Sequence, residues 1–74
     1  MSMYKAQRRK ELEANISRYR RERIELNREL VLTLSVLRLY MNAYNVDAFN
    51  FAAKRVEQNE AMTQYYLKLL NRLT

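Results

Sequence analysis

The chain has no cysteine, histidine, glycine, proline or tryptophan. Each absence removes a class of structure or chemistry. Without cysteine there is no disulfide, and without histidine as well there is no Cys/His zinc site. This matters in a chain of 74 residues. A core of that size supplies only about 3–5 kcal/mol, and small scaffolds add disulfides, metals or association with another chain. Only association is left here. The same two absences remove the commonest proton shuttle and the most reactive nucleophile. The eight carboxylates form no Glu-x-x-His pairs of the di-metal bundle type. Glu57 and Glu60 lie three apart, the usual spacing of a solvated surface pair. With no glycine there is no phosphate-cradling loop. The expectation is a protein that is not an enzyme, with no cofactor and no metal.

Long hydrophobic runs are also missing. The longest, Leu30–Met41, is LVLTLSVLRLYM, twelve residues that include Arg38. A membrane-spanning helix needs about 20 apolar residues. The run is read as a core segment, with no membrane span. No apolar leader follows the Met-Ser-Met start, and a cytoplasmic protein is expected.

The lack of glycine and proline points to fold class. Tight turns between strands need residues that tolerate positive φ. Leu, Arg, Glu, Ala, Asn and Tyr dominate instead, and the good helix formers prevail among them. The fold expected is all-α. Nothing interrupts a helix from residue 4 to residue 43. Along it Ile16, Arg23, Leu30 and Leu37, with Tyr44 just past its end, recur seven apart, as do Leu12, Tyr19, Leu26, Thr33 and Tyr40. Together they make a coiled-coil seam in which Arg23 and Thr33 are the polar exceptions. The stem of Arg23 can lie along the seam while its guanidinium reaches water. A second helix is expected over about 48–73, with the seam Phe49, Ala52, Val56, Asn59, Thr63, Tyr66, Leu70 and Leu73, weakest around Asn59 and Thr63. Glu25–Arg28 and Glu22–Arg18 are intrahelical ion pairs worth roughly 0.2–0.5 kcal/mol each.

Between the helices lies LYMNAYNVDAFNF, residues 39–51. Asn is the best non-glycine residue for a left-handed C-cap, and Asn and Asp are strong N-caps. A short turn centred on Asn45 gives an antiparallel two-helix hairpin with coiled-coil seams, expected to pair into a helical bundle. One unbroken helix would leave Phe49 and Phe51 without partners. With the turn at Asn45, residue 73 faces residue 17, and a dozen residues of the first helix overhang by roughly 20 Å. Leu12, Ile16 and Tyr19 are then assigned to self-association, in a homodimer.

Fourteen Lys and Arg oppose eight acids, a net of +6. The clusters Arg8, Arg9, Lys10 and Arg18, Arg20, Arg21 are candidates for nucleic acid. A basic helix leading into heptads is also the layout of bZIP and bHLH proteins. NISRYRRER departs from both: Ile16 and Tyr19 occupy the seam where bZIP helices present small residues, and no further arginine closely follows Glu22-Arg23. Six tyrosines supply interface anchors, since Tyr and Arg are enriched in binding hot spots. Arg20, Arg21, Tyr40, Tyr44, Phe49 and Phe51 are the candidate partner-binding residues. The function expected is a small protein–protein interaction module, an adaptor, inhibitor or co-chaperone docking on a larger protein, of the regulatory kind found among phage and accessory proteins. The alternative is a basic helical nucleic-acid binder.

Overall fold

A computed structural model describes residues 3–73. Two helices fill it, α1 (Met3–Leu39) and α2 (Ala43–Leu73), packed side by side as an antiparallel hairpin. The rod measures 57 × 15 × 13 Å. Both seams read from the sequence face each other. Leu12, Ile16 and Leu26 on α1 and Ala52, Asn59 and Thr63 on α2 are buried. Tyr19, Arg23, Leu30, Thr33 and Leu37, with Phe49, Val56, Tyr66, Leu70 and Leu73, are half-buried along the same lines. Tyr40 and Tyr44 fall off the seam, because Tyr40 directly follows the last residue of α1 and Tyr44 already belongs to α2.

The turn is earlier than the sequence suggested. Tyr40 N–H makes the last α1 bond, to Val36 O (2.9 Å), and Val46 N–H the first of α2, to Asn42 O (3.0 Å). Asn42 is the N-cap of α2: its Oδ1 accepts Asn45 N–H at 2.9 Å. Asn45 in turn donates its Nδ2 to Tyr40 O at 2.7 Å, satisfying a free carbonyl at the end of α1. Two asparagine side chains thus tie off both helix ends, which otherwise leave backbone groups unpaired. Among the described residues none has a positive φ, so the expected left-handed asparagine cap does not form. The side-chain bonds take its place.

Moving the turn by four residues shifts the register of the whole hairpin by eight. Residue 73 comes to lie near residue 9 rather than 17. The long overhang shrinks to the first turns of α1. Leu12 and Ile16, assigned to self-association for want of an intramolecular partner, are only 1 % and 5 % exposed. In a two-helix rod only α2 can bury them, and Ile16 shares a groove with Leu67 and Leu70. Tyr19, assigned with them to self-association, instead stacks on Tyr66 across the seam, centroids 5.7 Å apart.

The polar members of the seams meet. Arg23 Nε donates to Asn59 Oδ1 at 2.7 Å, and Arg23 Nη2 pairs with the Glu60 carboxylate. Asn59 Nδ2 donates to Tyr19 O (2.9 Å) and to Glu22 Oε1 (3.2 Å). Thr63 Oγ1 donates to Asn59 O at 2.9 Å. Glu22, expected to pair with Arg18, thus serves the other helix, while Arg18 lies over the Tyr19 ring at 5.2 Å. The Glu25–Arg28 pair forms as expected, at 3.1 Å.

Candidate interaction surfaces

The register divides the rod into two unlike halves. The terminal half, residues 3–23 and 59–73, holds ten basic and four acidic side chains. The turn half, residues 24–58, holds four of each. The entire net charge of +6 therefore sits in the terminal half.

The turn half is neutral and apolar outside. In α1, Leu30–Leu39 is apolar on nearly every side, interrupted by Thr33, Ser35 and Arg38. A helix of that kind belongs in an interior. Yet α2 covers one face only. Ile24, Val31, Leu32 and Leu39 stand 57–76 % exposed. Ile24, Val31 and Leu32 line a shallow apolar groove with Asn27 and Arg28 on the outer surface of α1. Thr33 and Ser35 spend their hydroxyls on the backbone carbonyls of the preceding turn, Thr33 on Glu29 O and Leu30 O, Ser35 on Val31 O. They offer little polarity to the surface. At the tip Tyr40 is 69 % exposed, Met41 81 % and Tyr44 80 %. A second groove, between the helices, is lined by Leu32, Val36, Tyr44 and Ala48.

The terminal half is polar. Among the described residues Arg8 pairs with Glu11 at 3.4 Å and Arg23 with Glu60. Arg9, Lys10, Arg18, Arg20 and Arg21 take part in neither pair. The Glu60 carboxyl is held below its ordinary value of 4.5, first by the hydrogen bond from Arg23, then by that from Gln64 and by the charge of Arg23. No group of His, Cys, Asp and Glu suited to a metal ion occurs among the described residues. No helix there is long and apolar enough to cross a membrane.

The structure separates the residues picked as one partner surface. Tyr40, Tyr44 and Phe51 are exposed in the turn half. Arg20 and Arg21 lie some twenty residues back along α1, roughly 30 Å away. Phe49 faces α1 and is half-buried. Ile24, Val31, Leu32, Val36 and Leu39, exposed here, are not among the residues the sequence suggested for a partner surface. Their signal was present: a run apolar on all faces has more than one side to cover, and the seam used only one.

Comparison with protein-family models, with curated proteins and with solved structures finds no match to this chain.

Proposed function

We propose that the chain is a protein–protein interaction module that docks on a larger protein through the outer face of α1 and the tip of the hairpin. The observation that carries this reading is the uncovered apolar surface of residues 24–41 in a half with no net charge. Large exposed apolar patches on small proteins mark interaction sites. A neutral apolar face suits an apolar protein groove and not a phosphate backbone. The module has no chemistry of its own; its action is to occupy or bridge.

The charge partition supports a second reading, in which the terminal half binds nucleic acid through Arg8, Arg9, Lys10, Arg18, Arg20 and Arg21. The two readings use opposite ends of the rod, so one experiment separates them. A photo-crosslinking residue is placed at Val31, at Leu39 or at Arg9, and the protein is irradiated in its source cells. The expected result is one larger protein, crosslinked from 31 and 39 but not from 9, unaffected by nuclease and lost with Leu39→Glu. Crosslinks from position 9 alone that disappear with nuclease would overturn the reading in favour of nucleic acid.

A further inference from the structure

Helix α2 carries two seams, and the hairpin uses one. Tyr44, Phe51, Gln58 and Tyr65 recur seven apart. So do Ala48, Arg55, Met62 and Leu69, four residues after each member of the first series. The combined spacing alternates four and three, the period of a helix that packs on another helix. None of these residues belongs to the seam facing α1. At 100° per residue the second seam lies about a quarter turn around α2 from the first. It is open: Tyr44 is 80 % exposed, Phe51 65 %, Tyr65 54 % and Met62 37 %. On the same side α1 contributes Leu32 and Val36 to the groove with Tyr44 and Ala48. The one charged member, Arg55, is already engaged, paired with Glu29 at 2.6 Å and lying over the Phe51 ring at 5.8 Å.

We propose that this seam packs on the same seam of a second copy, antiparallel, so that two hairpins form a four-helix bundle with their α2 helices in contact. The occupant follows from the order of the residues. In an antiparallel pairing, members of one series face members of the other. Tyr44 then faces Leu69 of the second copy, Ala48 faces Tyr65, Phe51 faces Met62 and Arg55 faces Gln58, each layer occurring twice about the twofold axis. The largest ring meets the smallest side chain. The thioether meets an aromatic ring, a favourable contact. The guanidinium meets an amide oxygen that can accept from it. A parallel pairing stacks each residue on its own copy. It sets Arg55 on Arg55 and Tyr65 on Tyr65, with a gap at Ala48. It also lays two terminal halves of net charge +6 side by side, whereas the antiparallel arrangement places them at opposite ends.

The size fits as well. The layers span residues 44–69, about 39 Å of helix. Five large apolar side chains of α2 with Leu32 and Val36 of α1, at ~100 Å² each, bury roughly 700 Å² per copy, close to the ~800 Å² per partner of a standard interface. The seam runs along α2, whereas the docking surface centres on Ile24, Val31 and Leu39 of α1; the two share Leu32, Val36 and Tyr44 at their border, and the variants that test them lie outside it.

The absence of native cysteine makes a direct test available. Ala48→Cys and Tyr65→Cys, each in the otherwise complete chain, are mixed in a glutathione redox buffer, and the disulfide-linked species are identified by mass. The antiparallel seam predicts the mixed 48–65 species in excess over both symmetric ones. Sedimentation equilibrium of the unmodified protein is expected to give twice the 9.0 kDa chain mass at micromolar concentration. Phe51→Lys is expected to raise the dimer dissociation constant by about 30-fold or more, the loss of a hot-spot residue. Because Phe51 is exposed in the single hairpin, that variant keeps its helical circular dichroism. Val31→Glu leaves the dimer intact, which separates failure here from failure of the docking surface. A 9.0 kDa species at every concentration overturns the proposal, and so do symmetric 48–48 and 65–65 disulfides in excess.

Discussion

A single buried asparagine determines much of this hairpin. Asn59 is 3 % exposed, yet its side chain is satisfied by Arg23, Tyr19 O and Glu22. No buried side-chain nitrogen or oxygen among the described residues lacks a partner. A slip of the helices by one heptad would strand all of these groups in an apolar seam. The cluster therefore acts on register more than on stability. Asn59→Ala removes the acceptor of Arg23 Nε and a donor to Tyr19 O, and is expected to cost about 1–3 kcal/mol in urea unfolding. Asn59→Leu restores the buried volume, and is expected to recover stability while broadening amide signals as registers interchange. Glu60 adds a pH dependence. Its folded-state pKa lies below 4.5, so its share of stability is complete above the unfolded value and is lost as pH falls through the folded one. Glu60→Gln is expected to lower stability slightly at neutral pH, where that share is complete, to leave it unchanged at acid pH, and so to flatten the acid limb of the stability–pH curve below about pH 4.5. The carboxylate is exposed, so the effect is small.

The helices themselves were legible in the sequence, and the place where they join was not. Every seam position from Leu12 to Leu37 and from Phe49 to Leu73 is buried or half-buried, because seven-residue periodicity depends only on helical geometry. The turn depends on which of several asparagines caps, and Asn42, Asn45 and Asp47 all qualify by residue type. What chose among them was non-local. A turn at Asn45 would set Arg23 opposite the apolar Leu67. A turn four residues earlier sets it opposite Asn59. Matching the polar exceptions of one seam to those of the other would have found the register. Two variants test it. Asn42→Ala removes the cap to Asn45 N–H and is expected to cost about 1 kcal/mol, seen as a Tm lower by about 4–8 °C. Leu12→Ala is expected to cost about 2–3 kcal/mol, since its side chain is 1 % exposed and truncation leaves a cavity. Were Leu12 on a free arm, the same change would leave the unfolding midpoint of the monomeric hairpin where it was.

At the scale of the molecule the sequence shows fourteen basic residues and an apolar run, but not that folding sends them to opposite ends. That partition depends on register, since residues 59–73 must return alongside 3–23 for Lys68 and Arg72 to join the N-terminal arginines. It also explains why Arg20 and Tyr44 do not form one site. The consequence is measurable by salt. A rod with a net +6 in one half attracts any polyanion, so retention on a duplex oligonucleotide at low ionic strength does not by itself make a nucleic-acid protein. At physiological salt, non-specific binding of this kind is expected to be no tighter than ~10⁻⁶ M, and it falls linearly in log salt, by about 0.9 per phosphate contact. Arg20→Gln with Arg21→Gln is expected to lower that slope by up to about 2, while Val31→Glu leaves it unchanged. Partner binding through residues 24–41 should show the reverse: insensitivity to the arginine pair, loss with Val31→Glu, and little change between low and physiological salt, because burial of apolar surface is not screened by counterions. If sequence-selective binding to the duplex survived physiological salt and the arginine pair abolished it, the terminal half would be the site, and the apolar half would serve only to join copies of the chain.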